Sequence, residues 1–152
     1  MGANVTVPYK EAVMPYLDQI SHWARSLGAV NTIENRRGRL VGYNTDSYGF
    51  LRALRTEGGF SATGASVLVL GAGGAAKAVA FALAYAGAAS IAIANRTTER
   101  ARELAALLAG RAGSVSVLPL PVARPPSNIS LIVNCTILGM WHGKGEGQSP
   151  LG

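Results

Sequence analysis

Cysteine is almost absent from this chain: Cys135 is its one thiol. A single cysteine excludes an intrachain disulfide framework and any metal site built from several thiolates. Cys135 lies in an apolar, strand-like stretch and reads as a buried, inert thiol. A reducing, cytoplasmic setting follows as the default. Charge is also scarce, at 14% of residues, and aromatics make up 7%. With 49% hydrophobic residues over 152 positions, disorder is excluded and a core of about one domain is expected. Long hydrophobic runs are lacking. The longest, Ala78 to Ala94, contains Gly, Ser and Tyr and falls short of a membrane span. Lys10 and Glu11 interrupt any signal-peptide pattern early.

Acidic residues are few. Eight Asp and Glu stand against fourteen Lys and Arg, a net charge of +6, and the only aspartates are Asp18 and Asp46. A basic chain attracts nucleic acid, anionic membranes or small anionic ligands. Here the arginines are dispersed over several segments. The one dense group, Arg36, Arg37 and Arg39, surrounds Gly38 in an expected hairpin turn, and no basic run alternates with aromatics. A small anionic ligand is therefore expected, and neither nucleic acid nor membrane.

Ala and Gly are abundant, which suits close helix-on-sheet packing and turns that need φ > 0. Gly2 to Pro8 reads as a short strand, and Lys10 to Met14 as a helical turn. Pro15 is expected to open a helix running to about Leu27, with Asp18 solvated on it and Gly28 as its C-cap. Ala29 to Ile33 and Leu40 to Tyr43 read as a strand pair. A helix capped near Thr45 or Asp46 follows and holds Phe50, Leu51 and Leu54. Gly58-Gly59 breaks it, and 58–64 is the expected domain boundary.

Beyond that boundary strands and helices alternate. Strands are expected at Ser66–Leu70, Ser90–Ala94, Ser114–Leu118 and Leu131–Asn134. Helices are expected at Gly74–Ala86 and Thr98–Leu108, and a loop or poor helix at Pro119–Pro126. This alternation predicts an α/β fold with a parallel sheet.

The first of these strands feeds directly into Gly71-Ala72-Gly73-Gly74-Ala75-Ala76. A glycine turn that follows a strand and opens a helix is the context for dinucleotide binding in a Rossmann-type sheet. Gly71 permits the tight turn and Gly73 lets backbone approach a pyrophosphate. Ala76 keeps helix and strand close, and free N–H groups at the helix start face the phosphates. The second strand ends in Asn95-Arg96-Thr97-Thr98-Glu99-Arg100. An NAD-preferring site usually has an acidic residue at that strand end. This chain has Arg96 and Arg100 instead, which suit the 2′-phosphate of NADP. Cations sit poorly at the positive end of a helix, and a bound anion would explain them.

Outside the glycine turn, single residues are less telling. Asp46 alone reads as an N-cap and Lys10 alone as a surface lysine. Asn31 is polar within an apolar strand and needs a partner if buried.

Taken in order, Asn4-Val5-Thr6-Val7-Pro8-Tyr9-Lys10-Glu11, Gly28-Ala29-Val30-Asn31-Thr32, Asn44-Thr45-Asp46, Gly71-Ala72-Gly73-Gly74-Ala75 and Asn95-Arg96-Thr97 resemble the motif series of the shikimate dehydrogenase family. Asn134-Cys135-Thr136 and Gly139-Met140 resemble a further motif near the nicotinamide end. The resemblance covers almost the whole chain. It departs at Ser47, where the family usually has Gly.

The resemblance implies an NADP-dependent enzyme that reversibly reduces 3-dehydroshikimate to shikimate in aromatic amino acid and chorismate biosynthesis. Quinate is an alternative substrate, and a catalytically incomplete NADP-binding fragment an alternative state. It implies Lys10 and Asp46 as the catalytic pair and Thr6, Asn31 and Asp46 as substrate-binding residues. Gly71, Ala72, Gly73, Gly74, Ala75, Asn95, Arg96, Thr97, Arg100 and Thr136 would bind the cofactor. Residues 1–45 would be part of a smaller α/β substrate domain, 46–63 a linking helix and linker, and 64–152 an incomplete NADP-binding domain. On this resemblance the chain is expected to be an internal or truncated portion. Self-association as a homodimer is a further expectation.

Overall fold

The structure, a computed structural model, describes residues 1–122, 124–139 and 146–151. Met140, the end of the last motif, lies outside the described residues.

The first half builds a small mixed sheet from β1 (Gly2–Asn4), β2 (Gln19–Ile20), β3 (Thr32–Arg36) and β4 (Arg39–Tyr43), in the order β1-β3-β4-β2. β3 pairs antiparallel with β1 and β4, and β2 runs parallel to β4. The hairpin expected around Gly38 forms, with Arg37 at φ 54° and Gly38 at φ 89°. Two positive φ values in a two-residue turn match the twist of the flanking strands. Arg36 of the basic group ion-pairs with Glu34 at 2.9 Å.

Three expectations in this half are corrected. The first strand is shorter than Gly2–Pro8. Its pairing ends when the Val5 N–H donates to the Asn31 carbonyl, and the Tyr9 N–H then closes a turn onto Thr6. The second strand of the sequence pattern starts at Thr32 rather than Ala29, because Gly28 to Asn31 first connects a helix end to the sheet.

The helix expected from Pro15 to Leu27 is divided. Met14–Tyr16 makes one 3-10 turn, Leu17 is extended, Gln19–Ile20 joins the sheet as β2, and only α1 (His22–Leu27) is α-helical. Two polar side chains account for the division. Asp18 is exposed as expected, but it accepts the Leu40 N–H at 2.6 Å from outside any helix. Ser21 accepts the Ala24 N–H at 3.2 Å, the bond of an N-cap. Leu17 and Val30 then close over Gly42, where a methyl group would stand 2.5 Å from Leu17 Cδ1. Gly28 ends α1 at φ 64°.

A linking helix, α2 (Asp46–Thr56), leads to the second sheet. Here β5 (Ser66–Leu70), β6 (Ser90–Asn95), β7 (Ser114–Pro119) and β8 (Leu131–Asn134) are all parallel, in the order β7-β6-β5-β8. The helices α3 (Gly74–Tyr85) and α4 (Thr98–Leu107) alternate with the strands. The expected α/β fold with a Rossmann-type sheet is what forms. Residues 120–122 and 124–130, after β7, are irregular.

Residues Val67 to Leu70 of β5 are each at most 1% exposed, as a parallel strand covered on both faces must be. On one face Val67, Val69, Ile91 and Ile93 pack with α3, α4 and Leu27 of α1, so the two halves share a core. On the other face Leu68, Leu70, Ala92 and Ala94 are covered by Val122 with Leu118, Leu120, Ile129 and Leu151.

Candidate active site

The order β7-β6-β5-β8 places the reversal of strand order between β5 and β8. Ligands of open α/β sheets bind at the carboxyl ends of strands at such a point. The glycine turn is the exit of β5. The Gly71 N–H donates to the Ala94 carbonyl at 2.7 Å and the Cys135 N–H to the Leu70 carbonyl at 2.8 Å, tying the exits of β5, β6 and β8 together. Gly71 has φ 109°, and a methyl group there would stand 3.1 Å from the Cys135 carbonyl oxygen. Gly73 is the N-cap of α3 in extended backbone, and nothing lies within 4 Å of where its Cβ would be. That open space, beside the unpaired N–H groups of the first turn of α3, fits the pyrophosphate of a dinucleotide.

Across from the turn, Lys10 and Asp46 meet. Their ion pair is 2.6 Å long, with side chains 14% and 31% exposed. The other carboxylate oxygen of Asp46 accepts from Asn31 Nδ2 at 2.7 Å. Asp46 is the first residue of α2, where the helix N-terminus favours a negative charge. The cap itself falls to its neighbours: Thr45 holds the cap position without a side-chain cap bond, and the Asp46 N–H donates to Asn44 Oδ1 at 3.0 Å. The buried Asn44 also donates to the Ala29 carbonyl at 3.0 Å. Asn31 is fixed in turn. Its amide donates to Thr45 Oγ1 at 3.0 Å, and its oxygen accepts from the Thr45 N–H at 3.0 Å and Thr32 Oγ1 at 2.9 Å. The half-buried Asn31 thus has the partners its amide requires, and Thr32 and Thr45 join as supporting residues for which the sequence pattern suggested no such role.

A cleft of about 400 Å³ lies between Lys10 and the glycine turn, with Asp46 and Asn31 outside its lining. Lys10, Gly71 to Ala75, Asn95, Arg100 and Thr136 line it, among others. Thr136 donates to Asn134 Oδ1 at 2.7 Å. Arg96 and Thr97 are exposed beside the cleft rather than among its lining, and Asn95 donates to the Thr97 carbonyl at 2.8 Å. Glu99 is taken up by Arg102 at 2.8 Å, while Arg96 and Arg100 have no ion-pair partner among the described residues. Thr6 is exposed and stands outside the Lys10–Asp46–Asn31 network. The departure at Ser47 leaves a hydroxyl that is buried without a hydrogen-bond partner among the described residues.

Cys135 is half-buried at the end of β8 and also lines the cleft, rather than lying inside a strand. Burial pushes its thiol up to about 11, so it stays protonated and unreactive at neutral pH, as expected of an inert thiol. Among the described residues no group of three or more His, Cys, Asp or Glu could hold a metal ion. No helix there is long and apolar enough to cross a membrane.

A Rossmann-type sheet whose glycine turn shares a cleft with Lys10, itself fixed by Asp46 and Asn31 beside a second, smaller sheet, defines the class, an α/β protein with a dinucleotide-binding fold. Comparison with known proteins gives the family. Residues 1–33 match the shikimate dehydrogenase substrate binding domain, and residues 54–123 match shikimate / quinate 5-dehydrogenase. The shikimate dehydrogenase (NADP(+)) of Moorella thermoacetica is 55% identical over 149 residues, 92% of this chain and 48% of that relative. A shikimate 5-dehydrogenase of Thermus thermophilus, solved in complex with NADP(H) and shikimate, superposes with a TM-score of 0.82 at 44% identity, over 99% of this chain and 52% of that one. A ligand-free 5-ketofructose reductase of Gluconobacter sp. superposes with a TM-score of 0.76 at 40% identity, over 93% and 52%. The chain belongs to the shikimate dehydrogenase family. It spans about half the length of the curated relatives it matches.

Proposed function

We propose that this chain carries the proton-transfer and cofactor-binding parts of an NADP-dependent shikimate dehydrogenase, an oxidoreductase that interconverts shikimate and 3-dehydroshikimate. The observation that carries the reading is that Lys10, paired with Asp46, lines one cleft with the glycine turn. The substrate half is residues 1–45, the link 46–63 and the cofactor half 64–152. The cofactor would be held by Gly71, Ala72, Gly73, Gly74 and Ala75 at its pyrophosphate, by Asn95, Arg96, Thr97 and Arg100 at a 2′-phosphate, and by Thr136 toward the nicotinamide. When bound, the nicotinamide supplies or accepts the hydride.

The protein's own part is the proton. Lys10 has three N–H donors and spends one on Asp46, leaving the others for a substrate oxygen. In the reducing direction the ammonium stabilises charge growing on the carbonyl oxygen and gives it a proton. In the oxidising direction neutral Lys10 takes the hydroxyl proton. Asp46 orients Lys10, and with Asn31 and Thr6 offers hydrogen bonds to the substrate hydroxyls.

The quinate alternative has less support, since curated relatives at 55% and 51% identity are named for shikimate. The cytoplasmic setting remains part of the proposal, on the reducing compartment that suits one free thiol. Pairing of two copies does too, on the exposed Tyr16, Tyr48, Tyr85 and Ile137.

The test is NADPH formation from shikimate by the purified chain at alkaline pH. Lys10→Ala is expected to lower kcat by about 10²–10⁴-fold, the usual worth of a general acid–base group, with NADP affinity little changed. Equal activity in that variant would sink the assignment. NADP binding with no turnover in the parent would identify a cofactor-binding unit instead.

A further inference from the structure

Glu11 has no part in the reaction above, yet its carboxylate meets the Lys77 ammonium at 2.9 Å across 66 positions of sequence. Glu11 directly follows Lys10, within a segment, 7–13, that forms turns rather than helix or strand. Lys77 is the fourth residue of α3, and its N–H donates to the Gly73 carbonyl at 2.9 Å. A methyl group on Gly28 would stand 3.9 Å from Lys77 Nζ, so the ammonium also lies over the turn that leads to Asn31.

The stem of Lys10 rests on the same helix start. A methyl group on Gly74 would stand 3.6 Å from both Lys10 Cβ and Cδ. The remaining ties of the turn segment are few: the Lys10 carbonyl accepts from the Val30 N–H at 2.8 Å, and Lys10 Nζ bonds Asp46. The first leads to the substrate half and the second to the start of the linking helix α2. Glu11 supplies the ionic tie to the cofactor helix.

The pair has an electrostatic reason to form. A cation in the first turns of a helix faces the positive end of the macrodipole, and Glu11 offsets that cost. Its worth to global stability is small, because Glu11 and Lys77 side chains are 48% and 20% exposed. Its effect falls on geometry.

We propose that Glu11 and Lys77 form a positioning latch, which fixes the turn segment carrying Lys10 to the helix that opens at the glycine turn. The latch sets the spacing between the proton-transfer pair and the cofactor side of the cleft. Its kinetic consequence rests on the proposed function; its structural consequence does not.

The experiment compares the parent chain with Glu11→Gln, Lys77→Gln and the charge-swapped double variant Glu11→Lys with Lys77→Glu. Amide hydrogen exchange over residues 6–13 is read alongside shikimate oxidation. Each single variant is expected to exchange that segment about 5-fold faster, as a local opening freed of one tie. Each is also expected to lose about 10-fold in kcat with the NADP KM within about 2-fold, the mark of displaced chemistry rather than lost binding. The swapped variant is expected to restore most of both. Unchanged exchange in Glu11→Gln would overturn the latch, and so would a swapped variant that melts like the parent and recovers neither property. A parent chain that binds NADP without turning over shikimate would defeat the proposed reaction alone, and hydrogen exchange would then decide the latch.

Discussion

Gly71 and Gly73 stand two residues apart in one turn, and the structure asks different things of them. Gly71 holds φ 109° with the Cys135 carbonyl 3.1 Å from where a methyl group would go. Gly71→Ala should therefore cost about 1–3 kcal/mol of stability, the usual range for a strained backbone, before any ligand is added. Gly73 has extended backbone and open space, so Gly73→Ala should fold with the parent's melting temperature and lose NADP affinity by 10-fold or more, an effect of about 1.4 kcal/mol. Thermal melts and NADPH fluorescence titration separate the two. A Gly73→Ala protein that binds NADP like the parent would show that no phosphate approaches that position. The sequence distinguishes these roles because a glycine between a strand and a helix has a physical meaning in each place. It does not do the same for Lys10, Asn31 and Asp46, whose types fit a surface lysine, a strand amide and a helix cap equally well. Only their ordered motifs brought them forward, and the 2.6 and 2.7 Å bonds bring them together. Thr32 and Thr45 stand inside those motifs, but a threonine carries no periodic or charge signal that would reveal its bond to Asn31.

Among the elements, α4 is where the proposed preference for NADP is tested. Arg96 precedes the helix and Arg100 lies in its first turn, where a cation is disfavoured unless an anion joins it. Glu99 does not serve them, since it pairs with Arg102. Arg96→Ala and Arg100→Ala should each weaken NADP by about 10–100-fold, the worth of one or two charge-assisted hydrogen bonds, and NAD far less. Arg100, which lines the cleft, should show the larger effect. Parallel titrations with NADPH and NADH check this, and equal losses for both nucleotides would rule out a 2′-phosphate site. The elements that were legible in sequence, β5 to β8 with α3 and α4, are runs of one character set off by Gly, Ser or Thr, and β5 and β6 are buried along most of their length. The Pro15–Leu27 helix was misread because Leu17, Ile20, Trp23 and Leu27 keep helical spacing while Asp18 and Ser21 form bonds that break it. Local side-chain bonds of this kind compete with the helix and leave no mark on hydrophobic periodicity.

At the scale of the molecule, strand alternation made the parallel sheet legible, but not how the small sheet sits against it. That relation is set by contacts far apart in sequence, such as Leu27 within the core of α3 and α4 and Glu11 on Lys77. It has a thermodynamic consequence. Because Trp23, Leu27, Phe50 and Leu54 pack on the core of the second sheet, the two halves should unfold together rather than in sequence. A ligand bound at the glycine turn then stabilises both. At 100 times its Kd, NADP should add about 2.7 kcal/mol, which for a chain of this size raises Tm by about 5–11 °C. Circular dichroism should show one transition, shifted by NADP, and hydrogen exchange should show added protection in β3 and β4 as well as in β5 and β6. Protection confined to the second sheet would mean that the halves open independently. The cleft between Lys10 and the glycine turn would then be an arrangement that the bound nucleotide does not enforce.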